Sequence, residues 1–538
     1  MDNTHRSVRG LIMAVIILYV VVNLLTLTRF PVMHSDESWL SGLSRQIALT
    51  DNPAATEPCF DLKPRKPQAL RLFFHGLQIV FMNLFGYTLF SMRLLSLGAG
   101  LAVLYCLYRL GRMIFPARTW ALIPCLLLGL DAQFIHAAHF GRQEILLLLV
   151  MVYELYYLFR NLHPHRLRHD LILGALAGLS PGIHPNGLII GLVMAGIYLT
   201  LLTGRDADSA QPPLKFRNLL GFGAAWALGM GLLIAASYQL DPEFLPNYLS
   251  HGARQFHVLD PLPVRFERLA EFYRNLWLRK GGTYLLPRLE LELILFGLVF
   301  LASLAYLVKP RCLDRPQWVW PVAAIVAVNA VLLGIGRFNA TCVIFLFPFF
   351  YLLTTMLLMR CPAVARKWAL LILAGALLGN TVGNIAPYLR YDYSSYLRQI
   401  GAAVGADRKV LSSINADFGF HSGKLLDFRN LSYLRKHGLT VAGYVETRGI
   451  EYLIIPEGLD LIYRTRPLWN GVYGQPFYYP ELRRFLNERC RPVARFAAPG
   501  FGVEIGEYVG RRNWQVNIYR VRPGDPKKEA QSNGSSRP

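Results

Sequence analysis

Long apolar segments that recur along the chain constrain its fold more than any other feature. Blocks of about 18 to 22 apolar residues, the length at which an α-helix crosses a bilayer, recur as far as residue 387. Hydrophobic residues make up 53 % of the chain and charged residues only 17 %, where a soluble domain has about 25 %. The sequence therefore predicts a polytopic α-helical membrane protein and argues against a soluble enzyme. About eleven spans are expected, near residues 11–28, 91–110, 117–136, 143–160, 170–183, 187–203, 218–237, 289–308, 318–335, 341–358 and 367–386.

The charges of the connecting loops predict how the spans are oriented. The first block follows three basic residues and carries no small-x-small cleavage site, so we expect an uncleaved span with a cytoplasmic N-terminus. Every second connection after it is short and rich in Lys and Arg, as at 109–118 and 160–168. Such loops face the cytoplasm. The other loops, and everything after about residue 388, are therefore expected outside.

The chain is expected to have three parts, of which residues 1–387 form the membrane domain. Short β-type runs at 409–414, 451–456 and 515–521 predict a small extracytoplasmic α/β domain over 388–521. The polar, Gly/Pro/Ser-rich stretch 522–538 is typical of a disordered tail. Cys59 and Cys490 are the two cysteines expected outside and away from the spans, and whether they pair is left open.

The net charge of +22 does not indicate a nucleic-acid partner, because membrane proteins place Lys and Arg in cytoplasmic loops and against lipid phosphates. The sequence has no Walker motif, GxSxG elbow, HExxH or CxxC pair. His136 and His139 alone are too few ligands to assign a metal. No cofactor is therefore assigned, and a divalent metal stays open.

The first outer loop carries the adjacent carboxylates Asp36 and Glu37, preceded by His34 and Ser35. Adjacent acids beside an apolar slab are costly to desolvate, which points to a function. Alternatively, Ser35 or Asp36 caps a helix that runs on through Trp39. Both roles are compatible, because a cap fixes the position of the carboxylate.

Four further clusters fall on the same predicted side of the membrane. Lys63, Arg65, Lys66 and Arg71 either hold a phosphate group or anchor an interfacial helix to lipid. Arg142 and Glu144 follow His139 in a short turn, where they face a polar cavity or form a simple salt bridge. Two later helices are interrupted, one at 180–187, which contains His184 and Asn186, and one at 336–339, which contains Arg337. These segments either line a cavity or are plain turns. Their convergence on one side favours a single site.

The order of these motifs resembles the GT-C superfamily of integral-membrane glycosyltransferases. The first predicted span is followed by Asp36-Glu37 and then by a helix that opens with Lys66-Pro67. Next come Phe85-Gly86, the Arg-Leu-x-Ser motif and a span that ends in Gly-Arg-x-x-Phe. The last motif is Arg142-x-Glu144. The likeness is greatest to the bacterial branch related to protein O-mannosyltransferases and lipid A aminoarabinose transferases. It covers roughly residues 10–200 and is looser to about 387.

The resemblance implies roles for individual residues. Asp36 matches the acid at the catalytic centre, with Glu37 beside it, and Glu144 matches the second acid. Lys66 matches the lysine that contacts the lipid phosphate, and Arg337 a late outer arginine. Arg65 departs from the aminoarabinose transferases, which have a metal-binding Glu at that position, so neither a zinc site nor that substrate is carried over.

The residues and the likeness together predict a glycosyltransferase that moves a hexosyl or pentosyl group from a polyprenyl-phosphate donor to an acceptor hydroxyl, with inversion. The acceptor is a lipid, protein or glycan, and the membrane is expected to be the bacterial inner membrane. The alternatives are a transporter or flippase of lipid-linked sugars, or an assembly scaffold. The sugar, the acceptor and the oligomeric state stay undetermined. The predicted catalytic residues are Asp36, Glu37 and Glu144; the predicted phosphate ligands are Lys66, Arg65, Arg142 and Arg337; and the predicted cavity-lining residues are His34, His139, His184 and Asn186.

Overall fold

A computed structural model describes residues 14, 16–67, 69–203, 214–251, 260–308, 316–336, 338–465 and 476–522. Contacts between residues divide the chain into two compact units. Unit 1 comprises Met1–Val32, Ile47–Ala55 and Lys66–Arg390, and unit 2 comprises Met33–Gln46, Thr56–Arg65 and Tyr391–Pro538. Two pieces of the predicted first outer loop therefore group with the C-terminal part of the chain. The expected domain limits at 387 and 521 stay predictions, and 523–538 lies outside the described residues.

The first part of the chain is helical, as its apolar blocks predict. Its helices are α1 (Ile16–Thr26), α2 (Ser35–Thr50), α3 (Leu72–Phe85), α4 (Leu89–Ile114), α5 (Arg118–Gly129), α6 (Ala132–His139), α7 (Glu144–Arg160), α8 (Leu167–Leu179), α9 (Leu188–Thr203), α10 (Phe216–Leu240), α11 (Phe244–His251), α12 (Leu262–Trp277), α13 (Glu290–Leu307), α14 (Pro316–Ile335), α15 (Phe347–Leu358) and α16 (Ala363–Ile385).

Within the described residues, 7 helices are long and apolar enough to cross a membrane, or 8 if the bent pair α5 and α6 is one span. The chain is thus an integral membrane protein. The expected number of about eleven stays a prediction, since α7, with 17 residues, and α8, with 13, are both shorter than the typical span of about 20 residues.

The break between α5 and α6 shapes the outer turn that follows. The two helices meet at 70°. Asp131 stands at the N-cap of α6, where its Oδ1 accepts the backbone N–H groups of Gln133 at 2.7 Å and Phe134 at 3.1 Å. The predicted span 117–136 is consequently a broken helix, and α6 ends at His139, three residues before Arg142.

Close packing of α8 against α10 positions the turn at 180–187. A Cβ on Gly174 would lie 2.2 Å from the carbonyl oxygen of Phe222, and one on Gly178 would lie 2.5 Å from that of Trp226. Only glycine permits this approach, as is typical of membrane helix pairs. The chain leaves α8 in a 3₁₀ turn, Ser180–Gly182, and enters α9 through a second, Pro185–Gly187.

Unit 2 contains a mixed five-stranded sheet. Its strands are β1 (Val410–Ser412), β2 (Leu425–Asp427), β3 (Tyr452–Pro456), β4 (Cys490–Ala497) and β5 (Gln515–Val521), and the helices around them are α17 (Tyr393–Ala403), α18 (Val441–Thr447), α19 (Gly458–Thr465) and α20 (Tyr479–Arg489). The strands lie in the order β2-β1-β3-β5-β4. Strands β1, β2 and β3 are parallel, and β5 is antiparallel to both β3 and β4. The predicted α/β character is confirmed.

Residues between α2 and α3 complete the core of unit 2. Leu62 is buried in the same apolar cluster as Leu411 of β1 and Leu453 of β3. The carbonyl of Cys59 accepts the backbone N–H of Asp427 at 3.1 Å. Cys59 and Cys490 are both buried free thiols, and burial raises the pKa of each above its ordinary value.

Candidate active site

His34 and Glu37 form a reciprocal cap at the start of α2. The backbone N–H of His34 donates to Glu37 Oε2 at 3.0 Å, and the backbone N–H of Asp36 donates to His34 Nδ1 at 3.0 Å. This is the logic of a capping box with histidine in the place of serine. The predicted cap therefore exists, but His34 forms it rather than Ser35 or Asp36.

The cap separates the two predicted carboxylates by environment. Glu37 is fully buried and accepts the backbone N–H of His34. Asp36 keeps 23 % of its side chain exposed, and its Oδ1 lies 3.8 Å from His34 Nδ1. Asp36 is consequently the more exposed acid of this pair.

Unit 2 also holds an ion pair between the buried Glu57 and the partly exposed Arg65. Arg65 donates from Nε to Glu57 Oε2 at 2.7 Å and from Nη2 to Oε1 at 2.6 Å. The indole N–H of Trp39 also donates to Glu57 Oε1, and the Arg65 guanidinium lies 4.7 Å from the centre of the Trp39 ring. Burial raises the pKa of Glu57, but the charge and hydrogen bonds of Arg65 outweigh it and lower the pKa to about 2.

Lys63 and Arg429 also lie against the Trp39 ring and against the ring of Phe60. Lys63 Nζ is 5.0 Å from the Phe60 ring centre, and the Arg429 guanidinium is 4.6 Å from it. Arg429 donates to both oxygens of Asp427, at 2.7 Å and 3.1 Å. Burial, followed by the charges of Arg429 and Arg65, lowers the pKa of Lys63 to about 8.

In unit 1, Arg142 and Glu144 are brought together as a buried pair. Arg142 Nη2 lies 2.9 Å from Glu144 Oε1, and the Thr341 hydroxyl donates to the same oxygen at 2.8 Å. Arg142 Nη1 donates to the Tyr284 hydroxyl, whose ring centre lies 5.1 Å from the guanidinium. Within the described part of the chain, Glu144 Oε2 accepts no hydrogen bond.

The turn at 180–187 meets the segment that follows Thr341. His184 Nδ1 accepts the backbone N–H of Asn186 at 3.1 Å and so caps the second 3₁₀ turn. The Asn186 side-chain amide donates to Cys342 Sγ at 3.1 Å. The 3₁₀ helix Ala340–Leu346 thus contacts Glu144 through one residue and Asn186 through the next, which joins two of the predicted turns.

The remaining predicted residues are placed differently. Lys66 is 54 % exposed, and its Nζ lies 3.8 Å from Glu243 in a loose surface pair. His139 is fully buried, with one ring nitrogen 3.0 Å from the Phe30 carbonyl and the other 2.8 Å from Asn23 Oδ1. Arg337 lies outside the described residues. Roles for these three residues stay predictions.

Several residues that contact the predicted set were not identified from the sequence, among them Glu57, Tyr284 and Thr341. Their only signal was a polar residue type, which many other residues share. Among the residues that the structure describes, no group of three or more His, Cys, Asp or Glu side chains is arranged to hold a metal ion.

Comparisons with known proteins bear on these arrangements. A family profile described as dolichyl-phosphate-mannose-protein mannosyltransferase matches residues 72–216. The crystal structure of ArnT from Cupriavidus metallidurans bound to undecaprenyl phosphate superposes with a TM-score of 0.59 at 13 % identity, over 95 % of this chain and 98 % of that one. The chain has the GT-C fold.

A second GT-C structure agrees with the first. The apo oligosaccharyltransferase of Archaeoglobus fulgidus superposes with a TM-score of 0.51 at 12 % identity, over 90 % of this chain and 73 % of that one. No curated protein sequence matches the chain significantly. The predicted resemblance to the GT-C branch of ArnT and the protein mannosyltransferases is confirmed, as is the predicted fold class.

Proposed function

We propose that this GT-C protein is a glycosyltransferase that uses a polyprenyl-phosphate sugar and delivers a hexosyl or pentosyl group to an acceptor hydroxyl. The observation that carries the proposal is the difference in exposure between the two adjacent acids of the first loop. Glu37 is buried in the helix cap, whereas Asp36 is held by the same cap with its carboxylate partly exposed. The match to a mannosyltransferase profile and the fold shared with ArnT, which was crystallised with undecaprenyl phosphate, support the choice of donor.

In the proposed reaction, Asp36 accepts the proton of the acceptor hydroxyl while that oxygen attacks the anomeric carbon. The bond between this carbon and the carrier phosphate breaks, and the polyprenyl phosphate leaves with the bonding electrons. Attack opposite the leaving group inverts the anomeric configuration. Lys66 and Arg337 are proposed to stabilise the charge that develops on the phosphate. Lys66 suits this role because its charge is exposed and its pair with Glu243 is loose.

We further propose that Glu144 orients the acceptor. Arg142 and Thr341 hold one carboxylate oxygen, which fixes the plane of the group and leaves Oε2 to accept a hydrogen bond from a sugar or acceptor hydroxyl. Arg142 then acts mainly as the positioning residue for Glu144. Arg65 is already paired with Glu57, so its predicted contact with the phosphate would require that pair to open.

The proposed setting is the plasma membrane of a bacterium, with a cytoplasmic N-terminus and with Asp36 outside. Support comes from the charge of the loops and from the polyprenyl carrier itself, since nucleotide sugars are scarce on that side. The acceptor is proposed to be a lipid, protein or glycan hydroxyl. The loop 238–288 and unit 2 are the regions proposed to select it.

The test is transfer in vitro from a polyprenyl-phosphate sugar by wild type and Asp36→Asn. The proposed base predicts a loss of about 10² to 10⁴ in turnover, because that is what general-base catalysis contributes. Ser35→Ala, next to it, is the matched control and should retain turnover within a few-fold. A flippase would move lipid-linked sugar equally well in both proteins. A loss of only a few-fold in Asp36→Asn would exclude the proposed base.

A further inference from the structure

Unit 2 carries an arginine cluster at one end of its outer strands. Arg491 of β4 is the direct partner of Arg520 of β5. Arg522 follows β5, and its backbone N–H donates to the carbonyl of Arg489 at 2.8 Å, so two more arginines continue the same ladder. All four side chains are exposed. We call these four residues the arginine block.

The pairing of Arg491 with Arg520 is unfavourable on its own. Directly opposite residues of antiparallel strands point to the same face, with Cβ atoms about 4.5 to 5.5 Å apart, and like charges there are destabilising. The opposite face at this end is apolar, because Cys490 and Val521 pack into the core of unit 2. Burial of that face fixes the register, and the register forces the two guanidinium groups together.

No acid in the described residues compensates this repulsion. Arg489, Arg491, Arg520 and Arg522 form no salt bridge with any described carboxylate. The nearby Glu451 is paired with Arg408 at 2.9 Å. Like charges that face each other on paired strands, with no acid of the protein to offset their repulsion, are typical of a functional surface.

An aromatic ring borders the block on its other side. Tyr452 of β3 is the partner of Arg520 and so shares its face. The Arg520 guanidinium lies 5.8 Å from the centre of that ring, which is partly exposed. The ring restrains Arg520, and a restrained planar guanidinium loses less entropy when it binds an oxyanion in two-pronged fashion.

We propose that the arginine block is a binding site for a phosphate-class anion, separate from the predicted transfer residues. Guanidinium groups match phosphate oxygens in bidentate geometry, and two of them side by side suit a pyrophosphate or a pair of phosphomonoesters. Both a lipid headgroup and a soluble phosphate compound carry this chemistry. The site would give unit 2 a contact with an anionic ligand that the transfer reaction itself does not require.

The test is calorimetric titration of the full chain in maltoside detergent with inorganic pyrophosphate. The Arg491→Gln/Arg520→Gln variant should bind at least about tenfold more weakly, since two charge-assisted contacts are lost. Lys436→Gln/Arg511→Gln removes two exposed charges elsewhere in unit 2 and should bind within twofold of wild type. The arginine variant should also melt no lower than wild type, because the repulsion is relieved.

A second arm separates the two sources of the phosphate. Phenylglyoxal modification of Arg491 and Arg520 is followed by mass spectrometry in nanodiscs of zwitterionic lipid, with and without anionic phospholipid or pyrophosphate. Protection by anionic lipid assigns the site to a headgroup, and protection by pyrophosphate alone assigns it to a soluble phosphate. The proposal is overturned if neither ligand protects the two arginines, if the arginine variant binds pyrophosphate as tightly as wild type does, or if the control variant loses as much affinity as the arginine variant.

Discussion

Each unit contains an Arg–Glu pair with a buried carboxylate, and the two pairs are built differently. In unit 2, both oxygens of Glu57 are engaged, by two guanidinium contacts and the Trp39 indole. In unit 1, Arg142 and Thr341 both contact Oε1 of Glu144, and Oε2 accepts no hydrogen bond from the described residues. Similar residue types thus give a closed pair and an open one.

The difference between the two pairs predicts which carboxylate stabilises the fold and which one binds a ligand. A fully satisfied buried pair repays its desolvation only through complete hydrogen bonding, so it has nothing left for a ligand. An open pair keeps one acceptor, which a substrate hydroxyl can fill. The comparison therefore predicts that Glu57 acts on stability and Glu144 on turnover.

The largest effect that the comparison of the two pairs predicts is that of Glu144→Gln on transfer. We expect kcat/KM to fall by about 10²-fold, because a charged acceptor that orients the reacting groups is replaced by a neutral one. The melting temperature should fall less than in Glu57→Gln, since glutamine is nearly isosteric, Thr341 can still donate to its carbonyl, and Arg142 keeps its contact with the Tyr284 hydroxyl. Transfer assays and thermal melts of the same preparation measure both quantities.

The matched control is Glu57→Gln, which neutralises the closed pair. It should lower the melting temperature and leave kcat/KM of the surviving folded protein within a few-fold of wild type. If Glu144→Gln destabilised the protein as much as Glu57→Gln did, the distinction between open and closed pairs would be wrong.

The stability from Glu57 should depend on pH in a defined direction. Its pKa falls from 4.5 to about 2 on folding, so the ionised group stabilises the folded state, by about 3 kcal/mol at neutral pH. This contribution is complete above pH 4.5 and is lost as the pH falls through 2. The difference in melting temperature between wild type and Glu57→Gln should therefore shrink by about half between pH 7 and pH 3. A difference that stayed constant over this range would contradict the assigned shift.

A smaller effect is expected from the lysines that flank Arg65. Lys66→Ala should weaken binding of a polyprenyl phosphate by about tenfold, the value of one charge-assisted contact. Lys63→Ala should weaken it less, because Lys63 is packed against Phe60 between two arginines. Equilibrium binding of both variants in detergent tests the order, and equal dissociation constants would refute it.

The smallest expected effect is that of removing the Thr341 hydroxyl from the open pair. Thr341→Val removes the hydroxyl that donates to Glu144 and keeps the volume of the side chain. We expect kcat to fall by about threefold to tenfold, in line with one neutral hydrogen bond, with KM for the donor unchanged. A change in KM alone would place Thr341 in donor binding instead.

The sequence predicted the features that depend on long or repeated patterns. Apolar blocks gave the helices, and the β-type runs at 409–414, 451–456 and 515–521 correspond to β1, β3 and β5. The motif order predicted the GT-C fold. The turn with Arg142 and Glu144 could be selected because ionisable residues at the end of a span are rare.

Other features could not be predicted, because they depend on partners that are distant in sequence. Strand β4 carries exposed arginines and a proline at the edge of the sheet, so it lacks the alternation that marks a half-buried strand. Glu57 is one acid in a polar loop until Arg65 and Trp39 enclose it. The contact between Thr341 and Glu144 joins residues 197 positions apart.

The make-up of unit 2 has a consequence for biosynthesis. Leu62 and Cys59 emerge from the ribosome early, but their partners in β1, in β3 and at Asp427 are translated roughly 350 residues later. At about 5 to 20 residues per second, this separation corresponds to roughly 20 to 70 s. During that interval the apolar residues of the loop between α2 and α3 stay uncovered, so a nascent chain stalled before β1 is expected to be a target for chaperones and proteases.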